Sequence, residues 1–334
     1  MPTKNNIAEE ITNGFIAQIE QWQANPDVRP SWTAGWVSLG GGGLPIRADG
    51  TPYRGINVLW LSMIAMREGY TSNQWFGYSA AKDAAAAYAR SQGRNIESRD
   101  RKRREGTYFW DVDNDCLFEG GVRKGETASR VVFVKRIQVE DKGKVDENGD
   151  PKKKVVPLMR YLSVFNRDQI EGLPPVASPD VPTFDFDPLE RAEEIVSGFD
   201  LPLIEGGDSA FYMPSRDEIH MPTKAQFKSS AEWYSTAFHE MGHATGHSSR
   251  LDRNLRNGFG SKEYAFEELV AELTSAFVCA ETKVEGNVQH VEYLAHWLKV
   301  LGDDSGFIIR AASKAQAAAD YILQREPIEY AQAA

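Results

Sequence analysis

The chain has 334 residues, 41% of them hydrophobic and 26% charged, with a formal net charge of −10. These values exclude a disordered or fibrous protein, and the length holds about one to three domains with sizeable cores. No apolar run approaches the roughly eighteen residues of a membrane-spanning helix, the start Met-Pro-Thr-Lys-Asn-Asn lacks a signal-peptide core, and Cys116 and Cys279 form no metal or disulfide pattern, so a cytoplasmic protein with no membrane partner is expected.

The first predicted element is an amphipathic helix over 7–23. A loop rich in glycine and tryptophan follows, with Trp32, Trp36 and Gly40 to Gly43. Pro52-Tyr53-Arg54-Gly55-Ile56-Asn57 leads into an apolar helix through Val58, Leu59, Leu61 and Ile64, with Asn57 as its N-cap. After Trp75, an alanine-rich helix is expected over 79–91. Strands follow at Tyr108-Phe109-Trp110, 131–139 and 155–165. Gly120 to Glu126 reads as a basic glycine turn, and 142–154, with Asn148-Gly149, as a polar hairpin tip.

Four prolines in nine residues, Pro174 to Pro182, mark a stiff connection. The expected organisation is α+β: a helix-plus-antiparallel-sheet domain over 1–171, a linker over 172–188, and a second domain over 189–334. Charge shifts at the same place. Residues 1–170 carry 25 Lys and Arg against 21 Asp and Glu, a balance of +4, whereas 171–334 carry 13 against 27, a balance of −14.

In the second domain, 209–214 and 218–222 read as two short strands around a Ser-Arg-Asp turn. The second is a candidate edge strand for substrate binding by strand addition, against the plain alternative of a structural hairpin. A helix then opens on Ser229-Ser230-Ala231-Glu232, which has capping-box spacing. It carries His239-Glu240-Met241-Gly242-His243. Two histidines four apart lie on one helix face and can share a metal ion, with Glu240 acting on water as general base.

A third ligand is expected from the next helix, marked by Phe266, Leu269, Val270, Leu273 and Phe277. Glu268 and Glu272 share its face. Glu268 is the preferred ligand and Glu272 the carboxylate that orients a histidine, with the reverse left open and Glu267 a weaker candidate. His247 is a rival ligand. In H-E-x-x-H-x-x-G-x-x-H the third histidine position is Ser249 here, so the metzincin pattern fails and His247 takes a structural or substrate-side role. Two histidines and one glutamate leave a coordination position open, which suits metal-assisted hydrolysis of a peptide bond rather than a closed structural site. One divalent ion, with zinc the expected one, is the implied cofactor. Two helices over 288–323 close the core.

Two basic clusters, Arg99 to Arg104 and Arg123-Lys124, are interleaved with the aromatics Trp32, Trp36, Trp75, Phe76 and Tyr78. Basic grooves with stacking aromatics hold single-stranded nucleic acid, although a +4 balance is modest and charge runs are usually solvated faces. The whole pattern resembles the ArdC family of plasmid antirestriction proteins, whose first domain is shared with certain plasmid primases. In the first domain the resemblance is carried by Tyr53 to Asn57, Trp75, Gly121 to Glu126 and Tyr161 to Asn166. In the second it is carried by His239 to His247, Arg250-Leu251, Phe259-Gly260-Ser261, Tyr264-Ala265 and Glu267 to Leu273. The stretch between Arg94 and Tyr108 and the 142–154 tip lie outside it.

The resemblance implies a single-stranded-DNA-binding first domain, with Arg54, Asn57, Trp75, Arg123 and Lys124 as contacts, and a zincin-like metallopeptidase second domain. It also implies protection of incoming conjugated plasmid DNA from restriction. A protein substrate for the metal site is a further expected partner. The alternative is a single-stranded-DNA-coating protein whose metal only supports the fold. A metal-dependent nuclease ranks behind both, because such sites favour carboxylate-rich or two-metal clusters.

Overall fold

A computed structural model describes residues 5–25, 44–99, 108–145, 151–175, 188–255, 261–284 and 294–325. The loop with Trp32 and Trp36, the run Arg101 to Arg104, the Asn148-Gly149 tip, residues 176–187 of the linker and Phe259-Gly260 lie outside the described residues.

The chain forms two domains of mixed helix and sheet. Helix α1 (Asn5–Ala24) buries Ile11, Phe15 and Ile19, a stripe at intervals of four. Helix α2 (Ile56–Glu68) is buried on nearly every side from Val58 to Ala65. It starts at Gly55, whose φ of 56° favours glycine, and ends at left-handed Gly69. Asn57 is therefore not the cap. It lies inside the first turn, where its amide donates to the Val132 carbonyl at 2.5 Å and accepts from the Val132 N–H at 2.8 Å. That pair clips α2 to the sheet.

The sheet has order β1-β2-β8-β7, with β1 (Ile46–Arg47), β2 (Gln74–Gly77), β7 (Ser129–Val145) and β8 (Pro151–Asn166). The β2–β8 and β7–β8 pairs are antiparallel as expected, while β1 joins β2 in parallel. Helix α3 (Tyr78–Ser91) follows β2 directly. A meander of β3 (Ile96–Arg99), β4 (Tyr108–Asp111) and β5 (Cys116–Glu119) comes next, and β6 (Gly121–Val122) pairs with β9 (Ile170–Glu171).

The second domain opens with α4 (Pro188–Ser197) and a three-stranded sheet of β10 (Leu203–Glu205), β11 (Phe211–Met213) and β12 (Glu218–Met221). The sheet order is β10-β12-β11, so the expected edge strand β12 is instead the central one, with β10 parallel on one side and β11 antiparallel on the other. Helices α5 (Ser230–Ala244), α6 (Lys262–Thr282), α7 (Leu294–Asp303) and α8 (Phe307–Ile322) complete it. Ser229 caps α5 by accepting from the Glu232 N–H at 3.1 Å, and Glu232 reaches back to the Lys228 N–H at 3.0 Å. Ser261 caps α6 in the same way through Tyr264.

One apolar core crosses the domain junction. Ile11 and Phe15 of α1 and Leu59 and Leu61 of α2 belong to the same cluster as Trp297 of α7, Ile308 of α8 and Leu273 of α6. Polar ties reinforce it: Thr12 donates to the Ser305 carbonyl at 2.8 Å, and the Gly55 N–H donates to Gln316 at 2.8 Å.

Candidate metal centre

Helices α5 and α6 cross at a glycine. A Cβ on Gly242 would lie 3.1 Å from the Ala271 Cα and 3.3 Å from the Thr274 Cβ, so any side chain there would press on α6, and glycine suits this close approach. The approach brings the histidines of α5 against the glutamates of α6. Among the described residues, His239, His243 and Glu268 place one ligand atom each within 4.8 Å of one another.

The two imidazoles aim the same atom at one point. His239 Nε2 and His243 Nε2 are 3.1 Å apart. Glu268 stands 3.7 Å from the first nitrogen and 3.6 Å from the second. Two nitrogens bound tetrahedrally to zinc at about 2.0–2.1 Å would sit about 3.3 Å apart. On the far side of each ring is a carboxylate: His239 Nδ1 is 2.9 Å from Glu272, and His243 Nδ1 is 3.3 Å from Glu267. An ionised carboxylate can only accept, so each Nδ1 carries a hydrogen, and Nε2 is the nitrogen that faces the shared point and can give its proton up to a metal.

The site is rich in buried carboxylate. Glu240, Glu267, Glu268 and Glu272 are each no more than 6% exposed. Arg253 neutralises Glu267 through a fork, Nε to one oxygen at 3.0 Å and Nη2 to the other at 2.8 Å. Glu240, Glu268 and Glu272 are buried beside the two imidazoles as well. Burial alone would lower the imidazole pKa values, but the neighbouring carboxylates outweigh it, raising His239 to about 10 and His243 to about 9. Burial likewise pushes Glu268 up, and the two imidazoles outweigh it, holding its carboxyl well below the usual range. A site that draws protons this strongly suits a divalent ion. The residues present fit one.

Arg253 is the site residue that spacing rules missed. Besides Glu267 it reaches Thr245 Oγ1 at 2.9 Å and the Gly242 carbonyl at 2.7 Å, fastening the last turn of α5. Arg250 does the same from outside, donating to the Ala244 carbonyl at 2.7 Å and pairing with Asp217 of the β11–β12 turn. His247 stands apart from the metal-ligating group. Its Nδ1 contacts the Ser249 hydroxyl at 2.7 Å, and Asp217 is 3.9 Å away.

The residues expected to meet nucleic acid are not gathered on one surface. Trp75 is 1% exposed and packs in the core, with Tyr70 edge-on at 5.9 Å, so it is no stacking platform; Phe76 is buried as well. Arg54 is half-buried at the domain junction, ion-paired with Asp320. Asn57 is occupied by Val132. Arg123 is exposed on the glycine turn, pairing with Glu126 at 2.8 Å and donating to the Asp168 carbonyl at 2.5 Å, and Lys124 beside it is exposed.

Comparisons with known proteins agree with this division. Residues 5–165 match the family profile of the N-terminal domain of anti-restriction factor ArdC, and 190–314 match that of a zincin-like metallopeptidase. The chain is 33% identical to the uncharacterized protein y4eC of Sinorhizobium fredii, over 96% of this chain and 92% of that one. It is 34% identical over 97% of its length to the DNA primase TraC of Escherichia coli, of which it spans only 27%. Crystal structures of the antirestriction protein ArdC from plasmid R388, one metal-free and one Mn(II)-bound, superpose with a TM-score of 0.68 at 33% identity, covering 95% of this chain and 96% and 97% of theirs.

Proposed function

The chain belongs to the ArdC family of antirestriction proteins, and from that premise we propose that it binds single-stranded DNA, protects incoming plasmid DNA from restriction, and carries a metal-dependent peptidase site. The observation that carries the peptidase reading is the pair of Nε2 atoms 3.1 Å apart with Glu268 beside them, each ring fixed from behind by its own carboxylate. Three protein ligands leave a position open, which is the arrangement of a catalytic rather than a structural ion.

His239, His243 and Glu268 would hold the ion, zinc or another divalent metal. When bound, the ion supplies Lewis acidity for a scissile carbonyl and for water. Glu240, next to His239 and 5% exposed, would accept a proton from water and deliver it to the leaving amine nitrogen. Glu272 and Glu267 keep the two imidazoles in one tautomer. A peptide could add to the free edge of β11, since β12 already has both neighbours. The acidic balance of the second half would keep DNA on the first, where Lys124 and Arg123 offer exposed positive charge.

A second reading is supported by the same ligands bridging α5 and α6: the ion could act only as a fastener, with DNA coating giving protection. Glu240→Ala separates the two, because it leaves all three ligands in place. The expected outcome is retained metal content and retained single-strand affinity with loss of protection in a conjugative transfer into a restricting host. Undiminished protection would favour the coating reading and end the peptidase one.

A further inference from the structure

A cavity of about 420 Å³ lies on the first domain, far in sequence from the metal ligands, within the range of about 300–1,000 Å³ typical of ligand pockets. One wall is a stripe of α3, Ala84, Ala87, Tyr88 and Ser91, at helical spacings of three and four. The opposite wall is Gln74 and Phe76, two apart on one face of β2, with Leu173 and Pro174 closing one side. The space exists because α3 presents alanine where a larger side chain would reach the sheet.

One charged group lines it. Arg167 donates Nη1 to the Gln74 amide oxygen at 2.9 Å and Nη2 to the Pro174 carbonyl. Neither partner is charged. Among the described residues Arg167 has no carboxylate within ion-pair distance, unlike Arg123, Arg250 and Arg253. Its neighbour Asp168 turns its carboxylate away, onto Thr71 and Ser72. An arginine fork keeps donors to spare after two bonds, and phosphate is the anion it suits best. The Asp168 carbonyl accepts from Arg123, so the exposed Arg123-Lys124 turn and the cavity meet at one short segment of chain.

We propose that this cavity holds one unstacked nucleotide of single-stranded DNA, its base against Tyr88 and the apolar walls and its phosphate on Arg167. The proposal rests on the single-strand reading given above and adds a specific place to it. A slot walled by two aromatics, Phe76 and Tyr88, with small side chains and one arginine, holds a base without reading its sequence.

The test uses the full chain and two labelled probes, a thymidine 12-mer and the same strand with abasic sites. The wild-type protein is expected to prefer the base-bearing strand by about five- to a hundredfold, the range of one or more stacked bases. Ala87→Leu fills the slot from an exposed helix position that tolerates leucine, and is expected to abolish that preference without moving the melting temperature. Arg167→Gln is expected to flatten the log–log salt dependence by about 0.7, the loss of one single-strand phosphate. If the wild-type protein binds both strands while Ala87→Leu and Arg167→Gln leave preference and slope unchanged, the pocket is overturned and the single-strand reading stands. If thymidine monophosphate competes at the slot without displacing the 12-mer, the slot belongs to a free nucleotide and the proposal fails. Binding to neither strand by the wild-type protein would end the single-strand reading and the pocket with it.

Discussion

Arg253 holds more of the metal centre than its distance from the ligands suggests. Its guanidinium fixes Glu267, which fixes His243, and it also ties down the Gly242 carbonyl one residue before that histidine. Removing it frees Glu267 to rotate and leaves that carboxylate buried without its cation. Arg253→Ala is expected to weaken metal affinity by about 10- to 100-fold, as loss of a ligand-orienting partner typically does, in a chelator competition at fixed pH. Arg253→Lys keeps the charge but not the fork, and should recover only part of the loss. Wild-type affinity in both variants would show that Glu267 holds His243 unaided. That His239, His243 and Glu268 come together was legible because helix periodicity puts residues four apart on one face. Arg253 was not, because it reaches the site from an irregular segment where no spacing rule applies. Trp75, Arg54 and Asn57 show the converse: each has a partner or a packing role inside the fold. Their types suit nucleic acid, but type alone does not separate a stacking indole from a core one, or a phosphate-binding arginine from one facing Asp320.

At the scale of elements, the α5–α6 crossing decides whether the ligands meet. Gly242 lies inside the H-E-x-x-H segment but serves packing, since its missing side chain faces the Ala271 backbone. Gly242→Val would place its Cβ about where that Cα leaves 3.1 Å, then add two methyl groups. Backbone cannot swing aside as a flexible side chain can. The expected result is destabilisation of about 1–3 kcal/mol, outweighing the roughly 0.5–1 kcal/mol that replacing a helical glycine usually returns, and read from the urea midpoint. Metal affinity should fall with it, because Glu268 moves away from the histidine pair. A midpoint equal to wild type would mean that α6 can retreat freely. The long helices were readable to within a few residues, because caps and apolar period agree in them. The small sheet was misread at its centre for a physical reason: β10 has three residues, too few for alternation to register, yet pairing with it removes β12 from the edge.

For the whole molecule, the proline-rich connection suggests two independent bodies, whereas the core argues for one. Side chains of α1 and α2 pack into the cluster that contains α7, α8 and both helices of the candidate metal site, α5 and α6. Helix α8 is the shared wall. Asp320 and Gln316 on it hold Arg54 and Gly55 of the first domain, while Thr274 of α6 approaches its Ala315 carbonyl at 3.5 Å. Separating the domains would therefore expose apolar surface on both sides and break the Arg54–Asp320 pair, so the junction should melt with the rest rather than before it. A ligand that binds only the folded state stabilises whatever unfolds with its site, by about 2.7 kcal/mol at a hundredfold excess over Kd. If unfolding is one cooperative event, adding metal should move a single calorimetric transition upward, and probes in both domains should follow it together. Arg54→Ala should then lower that same transition. Two transitions, with only one responding to chelator, would instead show that the core contact is too weak to couple the halves. The candidate metal site would in that case gain nothing from its position beside the first domain except proximity.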